Sequence, residues 1–332
     1  MEPDWGDIPC SVEQFWELVK KLNADKKDRI IRFRLGCMLQ IRPIKMRPAL
    51  LKFFINKYNP TYRKFEIRSR EIMYISASDV QDIMGLKPTG LTVKPDTSLS
   101  FVEIPEQFHV HGRASFRIES LIADIVIHDD KPDDDFLRRF VLVMLGTVLA
   151  PVSSTHVPVS YYAIVKDVIN MRQMDWNELT LGFLKAKFKE GQDSTSPRWP
   201  SGNLALLQYA YWEKVRPLSA EFDYSIRRVP LMSYWDEGKA YMRDKYDIDN
   251  GRGSGIVINE MNKGPTNFPQ NHSDDDESSK NTPNPKETTS FQEVTVERLC
   301  AVEEGMSTMG KGMKKRDQKL KDLPKIRKCL EV

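Results

Sequence analysis

The chain has 332 residues, 40% hydrophobic and 29% charged, and its 50 Lys and Arg against 47 Asp and Glu leave a formal charge of only +3. That balance is the one found in soluble globular proteins, and it excludes a fibrous or wholly disordered chain. The longest near-continuous apolar run, Phe140 to Val152, contains Gly146, Thr147 and Pro151 and falls short of the roughly 20 residues a bilayer-spanning helix needs.

No membrane span is therefore expected. The opening Met1-Glu2-Pro3-Asp4 lacks the basic and then apolar pattern of a secretory leader, and Cys10, Cys37, Cys300 and Cys329 lie far apart, which fits a reduced intracellular compartment.

Helix signals dominate the first 249 residues. Ser11 and Gln14 have capping-box spacing ahead of Phe15, Trp16, Leu18, Val19 and Leu22, which predicts a helix over Val12 to Leu22. Further helices are expected over Arg29 to Leu39, over Pro48 to Lys57 with proline in the opening turn, and over Ser78 to Met84 ending at Gly85. Phe65 to Ile67 and Ile72 to Ile75 read as two short strands around Arg68-Ser69-Arg70-Glu71, a single β-hairpin.

Asp133, Asp134 and Asp135 place negative charge where a helix N-terminus favours it, ahead of a nearly all-apolar helix from Phe136 to Leu149. Tyr161 to Met171, Trp176 to Phe188, Leu204 to Val215 and Tyr234 to Lys245 complete a mainly α reading, with prolines falling between the segments.

The domain plan is one large helical domain over residues 1–249, a disordered acidic linker over 250–290 and a heptad-like basic tail over 291–332. All aromatic residues except Phe268 and Phe291 precede residue 250, and large rings mark segments that pack. The linker is rich in Gly, Asn, Ser and Pro around Asp274 to Glu277 and lacks the apolar residues that would offset backbone ordering. In the tail, Leu299, Val302, Met306, Met309, Met313, Leu320 and Leu323 form a stripe suited to a coiled coil and self-association, opposed by Gly305, Gly310 and Gly312.

Several stretches taken in order resemble the plant mobile domain, a transposon-related family also labelled aminotransferase-like. They are Leu35 to Ile41, Tyr74 to Leu86, Phe140 to Pro151, Asp175 to Asn177 and Gly202 to Gln208. The resemblance implies a helical nuclear domain linked to transposon silencing or genome maintenance, with the cytoplasm as the alternative location. Some relatives carry a C-terminal cysteine protease of the SUMO-processing type. Here only His272, Cys300 and Cys329 follow residue 250, so a truncated element-encoded protein that has lost the protease is one alternative. The aminotransferase label finds no alternating strand and helix pattern to hold pyridoxal phosphate, and no cofactor or small-molecule substrate is expected.

The strongest charge feature is Lys26 to Glu71, with 14 basic residues against three acidic, a net of +11. Arg29, Arg32, Arg34, Arg42, Lys45, Arg47, Arg68 and Arg70 are the candidates for contacting nucleic acid or chromatin, since such density can follow a phosphate backbone. Against this, Ile72 to Leu137 carries a net of −7 and could neutralise the block internally. A second cluster in Lys311 to Lys328, net +7, contains Lys314, Lys315, Arg316, Lys319 and Lys321 and resembles a nuclear-import signal.

His109-Val110-His111 lacks the further ligands zinc requires, and the aspartates at 129–130 and 133–135 read more simply as a loop and a helix cap. No phosphate loop or nucleophile elbow appears. The expected function is therefore non-enzymatic, the binding of nucleic acid or chromatin, with a protein-interaction scaffold as the alternative.

Overall fold

The structure, a computed structural model, describes residues 5–261 except 89, 93, 100–103, 106–107, 109–114, 128–131, 153–154, 193–197, 220 and 226. The His109 and His111 pair, Asp129 and Asp130, the tail stripe, and the linker from residue 262 onward lie outside the described residues.

The first helix, α1 (Val12–Lys21), begins where the Ser11 hydroxyl accepts the Gln14 amide at 3.2 Å, and it buries Val12, Phe15, Leu18 and Val19. The next helix departs from expectation. Instead of running from Arg29 to Leu39, α2 spans Ala24–Arg32, because the Asn23 side chain caps it at Lys26 N and starts it earlier. It ends in a Schellman closure: Leu35 N donates to Ile30 O at 3.1 Å and Arg34 N to Ile31 O at 2.9 Å. Buried Ile30 and Leu35 accompany that closure. A 3₁₀ turn, Gly36–Gln40, follows.

α3 (Pro48–Lys57) leads into a three-stranded antiparallel sheet of β1 (Tyr58–Asn59), β2 (Lys64–Arg68) and β3 (Glu71–Met73), with β2 in the middle. Phe65 lies opposite both Tyr58 and Met73, and Phe65 and Ile67 face inward while Glu66 and Arg68 face solvent, the alternation of a half-buried strand. The sequence foretold the β2–β3 hairpin but not β1. α4 (Ala77–Met84) has a capping box between Ser76 and Asp79 and stops at Gly85, whose φ is 74°.

The centre of the core is α6 (Asp134–Met144), continued by a π-type turn from Leu145 to Leu149. Every residue from Phe140 to Leu149 is buried; α6 packs against α5 (Ile118–Ile127), and α1 packs on the π-type turn and on α5. The Phe15 and Phe140 rings sit 5.6 Å apart. Two short strands, β4 (Ser115–Arg117) and β5 (His156–Pro158), pair beside the π-type turn. A side chain at Gly146 would place Cβ 2.6 Å from Val157 Cγ2, so glycine is what lets that strand approach.

Asp167 splits the expected Tyr161 to Met171 helix into α7 (Tyr162–Val165) and α8 (Val168–Arg172) by capping the second piece at Ile169 N and Asn170 N. α9 (Trp176–Gln192) and α10 (Leu204–Lys214) follow. α10 is buried along its whole length, and three of its polar residues face fixed partners: Gln208 takes the Arg47 amide, Glu213 takes Arg227 and Trp235 Nε1, and Lys214 Nζ binds Asp79 Oδ2 at 2.7 Å. A buried polar group without such a partner would cost about 1–3 kcal/mol.

After β6 (Val215–Arg216) the chain forms α11 (Glu237–Asn250) and then β7 (Ile256–Val257), which pairs with β6. The folded body thus continues through Met261, past the domain boundary placed at residue 249. Gly253, Gly255 and Met261 are buried. Glycine and asparagine in this stretch resemble linker composition, but here they serve tight turns. The architecture is mainly α with a few short antiparallel strands, and among the described residues no helix is long and apolar enough to cross a membrane.

Candidate nucleic-acid interface

The basic block does not form one open cationic face. Lys26 is buried and donates to Val126 O at 3.4 Å. Arg29 pairs with Asp134 at 2.6 Å, Arg32 with Asp28 one helical turn away at 2.7 Å, and Arg68 with Glu71 at 2.7 Å while also donating to Gly255 O. Arg42 reaches Asp236 at 3.9 Å.

Arg47, with a side chain only 10% exposed, is fastened to α11 from two directions, Glu237 at 2.8 Å and Asp244 at 2.6 Å. Much of the neutralising charge therefore comes from α11 and its cap, not from the acidic stretch after Ile72 that the sequence suggested, though Asp134 belongs to that stretch.

These contacts leave an electrostatic signature. Burial works against the Glu237 carboxylate, yet the hydrogen bonds from Arg47 and the Lys45 amide outweigh it and hold its pKa below the ordinary 4.5. Asp244, deeper in the interface, is pushed the other way by burial despite the same arginine. A carboxylate whose folded pKa is depressed contributes stability above its unfolded pKa and loses it as pH falls through the folded value. Glu237→Gln is accordingly expected to lower stability at pH 7 by less than about 1 kcal/mol, the carboxylate being about half-exposed. It should also flatten the part of the stability curve lying below about pH 4.5, which urea titrations across pH would read.

Three arginines are treated differently. Arg34, Arg63 and Arg70 are the non-glycine residues with positive φ among the described residues, at 70°, 51° and 73°. Arg34 closes α2, Arg63 ends the β1–β2 turn and Arg70 lies in the β2–β3 turn. All three are exposed, and none has an ion pair or side-chain hydrogen bond among the described residues.

The Lys45 side chain is likewise exposed and makes no ion pair among the described residues. Arg63 is absent from the candidates chosen by sequence; its signal is the turn composition of Asn59-Pro60-Thr61, two residues ahead of it. The nearest titrating neighbours sharpen the contrast. Lys87 has its pKa lowered by burial and then by Arg34, and Lys185 by burial with a further contribution from Arg63.

Other chemistries find little footing. Among the described residues no group of three or more His, Cys, Asp or Glu is placed to hold a metal ion. Burial pushes the Cys10 thiol up to about 11 and that of Cys37 to about 12, the opposite of an activated nucleophile. Trp176, Trp199, Trp212 and Trp235 are all buried, serving the core and not an exposed stacking platform. Lys314, Lys315, Arg316, Lys319 and Lys321 lie outside the described residues.

Residues 8–208 match the model of a family described as "Domain of unknown function (DUF8566)". This match corrects the resemblance to the plant mobile domain, whose model is not found. Short apolar helical stretches such as Phe140 to Ala150 recur wherever a helix is buried all round, so their order alone did not discriminate between families. Transposon origin and silencing, which rested on that resemblance, lose their support. No curated protein and no solved structure matches the chain.

Proposed function

The chain belongs to the DUF8566 family, and we propose that it acts by binding a polyanion, nucleic acid in the first instance, through arginines presented at turn tips. The observation that carries this reading is the identity of the three positive-φ residues. A left-handed backbone costs a non-glycine residue about 1–2 kcal/mol, and asparagine, aspartate or glycine is the ordinary choice there. Placing arginine at all three, exposed and without an acid partner, spends stability where folding gains nothing from the charge. Retaining a strained position for its side chain is what a functional surface does. The neutralised remainder of the block then serves to hold the fold, not the ligand.

The test is salt-dependent binding of the full chain to duplex and single-stranded DNA. Arg34→Asn, Arg63→Asn and Arg70→Asn together keep the turns and remove the charges. The comparison is made in a chain whose Lys314, Lys315, Arg316, Lys319 and Lys321 are glutamine, so that the basic tail does not mask the effect. Affinity is expected to fall, and the log–log salt slope to become shallower by about 1 for each arginine that meets a phosphate. Absence of binding at low salt, or an unchanged slope in the triple variant, would reject the reading. Nuclear import through the tail cluster belongs to the same proposal and would be read from a fluorescent fusion with and without those glutamines.

The scaffold reading keeps one specific support. Tyr241 and Ile248, seven residues apart on α11, are 67% and 69% exposed, with Leu218 at 76%, and such apolar exposure suits a protein partner.

A further inference from the structure

Between the loop after β6 and the start of α11 lies a cleft of about 430 Å³ with aromatic walls from Phe222, Tyr224, Tyr234 and Trp235. That volume is within the range of small-molecule sites. Beneath it, fully buried Glu213 accepts from Trp235 Nε1 at 2.7 Å and from Arg227 Nη2. Arg216 is the second guanidinium close enough to act on this carboxylate, and burial followed by the charge of Glu213 dominates its own titration. One buried carboxylate faces two guanidiniums, of which Arg216 is only partly buried, and the remaining positive charge at the cleft is met so far by the exposed Asp223, whose carboxylate feels Arg227 and Lys239.

The donors that could meet an anion are in place. Arg227 is nine-tenths buried. Its guanidinium lies 5.7 Å from the Tyr224 ring centroid and 5.3 Å from that of Tyr234. Nη2 is engaged by Glu213, and among the described residues Nη1 donates to no group. The Tyr234 hydroxyl accepts the Arg228 amide at 3.0 Å and retains its own hydrogen. Lys239 Nζ, also on the cleft, spends one hydrogen on Tyr234 O at 2.6 Å. The acids at the rim, Glu221 and Asp223, are exposed, and Asp223 already accepts Ser225 N and Oγ at 2.8 and 3.0 Å.

We propose that this cleft binds a small organic anion carrying a planar ring, with the ring against Tyr224 and Tyr234 and the anionic group on Arg227 and Lys239. The site is separate from the turn arginines and stands whether or not the chain binds nucleic acid.

Isothermal titration of the full chain tests it with two ring anions, 4-hydroxybenzoate and adenosine 5′-monophosphate. Benzamide supplies the ring without charge, and inorganic phosphate the charge without ring. At least one ring anion is expected to saturate one site with Kd below about 1 mM, and both half-ligands to bind at least about tenfold more weakly. Which of the two binds decides between a carboxylate and a phosphate ligand.

Arg227→Lys, which keeps a charge beside Glu213, is expected to weaken binding by about tenfold or more. Tyr234→Ala, on a partly exposed wall, should do likewise and remains informative if the arginine variant fails to fold. Absence of saturation by either ring anion overturns the proposal. So does equal binding of benzamide or phosphate, or unchanged affinity in a folded variant.

Discussion

Arg243→Met is expected to remove about 3–5 kcal/mol of folding stability, the loss that follows when one partner of a buried ion pair is deleted. Arg243 has no exposed surface, and its guanidinium does three things at once. It bonds Asp247 Oδ1 through Nε and Nη2 at 3.2 Å, donates to Val215 O at 2.6 Å and lies 4.5 Å from the Tyr211 ring centroid. Tyr211 in turn donates to Asp247 at 3.0 Å and accepts the Gly253 amide at 2.8 Å.

Burial raises the Asp247 pKa above its ordinary 3.8 even with the arginine present. A carboxylate raised in the folded state imposes no penalty below its unfolded pKa and a growing one as pH climbs toward the folded value. Without Arg243 that window widens upward, so the variant should be more stable to urea at pH 5 than at pH 7. Adding Asp247→Leu should recover most of the loss, because an apolar pair substitutes for a buried ion pair with little net cost. A single variant within about 1 kcal/mol of the parent would show that the pair contributes little.

Gly255→Ala comes next in expected effect, at about 3 kcal/mol. An added Cβ would stand 2.2 Å from Arg216 O and 2.7 Å from its carbonyl carbon, with φ at 131°, a region L side chains rarely occupy. Backbone strain of this kind costs roughly 1–3 kcal/mol, and the clash adds to it because the obstructing atom is backbone held in the β6–β7 pairing. The expected failure is local first. The Ile258 amide, which donates to Lys214 O at 2.8 Å, should lose hydrogen-exchange protection before the amides of α6 do. Uniform loss of protection across the domain would show instead that β7 is integral to global folding.

These two substitutions mark where the sequence was hard to read. Helices declared by a cap and an apolar stripe, such as α1 and α4, stand almost where the pattern places them, because the determining interactions are local. The start of α2 is set by Asn23, an ordinary cap residue that stands ahead of a charged and not an apolar turn, and its end is hidden because Arg34 occupies the C-terminal turn where glycine is the common choice. α5 was missed altogether. Ile118 to Ile127 is rich in β-branched residues, and it is helical because it packs on α6, a tertiary cause that no local propensity reports.

The candidate site divides along the same line. Composition located the basic block, but the acids that occupy Arg42 and Arg47 are nearly 200 residues distant. Pairing at that separation is invisible until the chain is folded. Arg34, Arg63 and Arg70 were set apart only by backbone dihedrals.

The reach of α10 carries a practical lesson about where this protein can be divided. The family match ends at residue 208, midway along a helix whose remaining turn holds Tyr211, Trp212, Glu213 and Lys214. Expressing residues 8–208 would discard the Trp212 indole, whose ring centroid lies 4.8 Å from that of Trp235, and the lysine that ties Asp79 to the Tyr74 and Asn259 carbonyls. Stopping at residue 249 would instead strip away the partner strand of β6. The shared ancestry recorded by the family and the smallest piece able to fold therefore have different limits, and any attempt to isolate the domain should carry the chain through Met261.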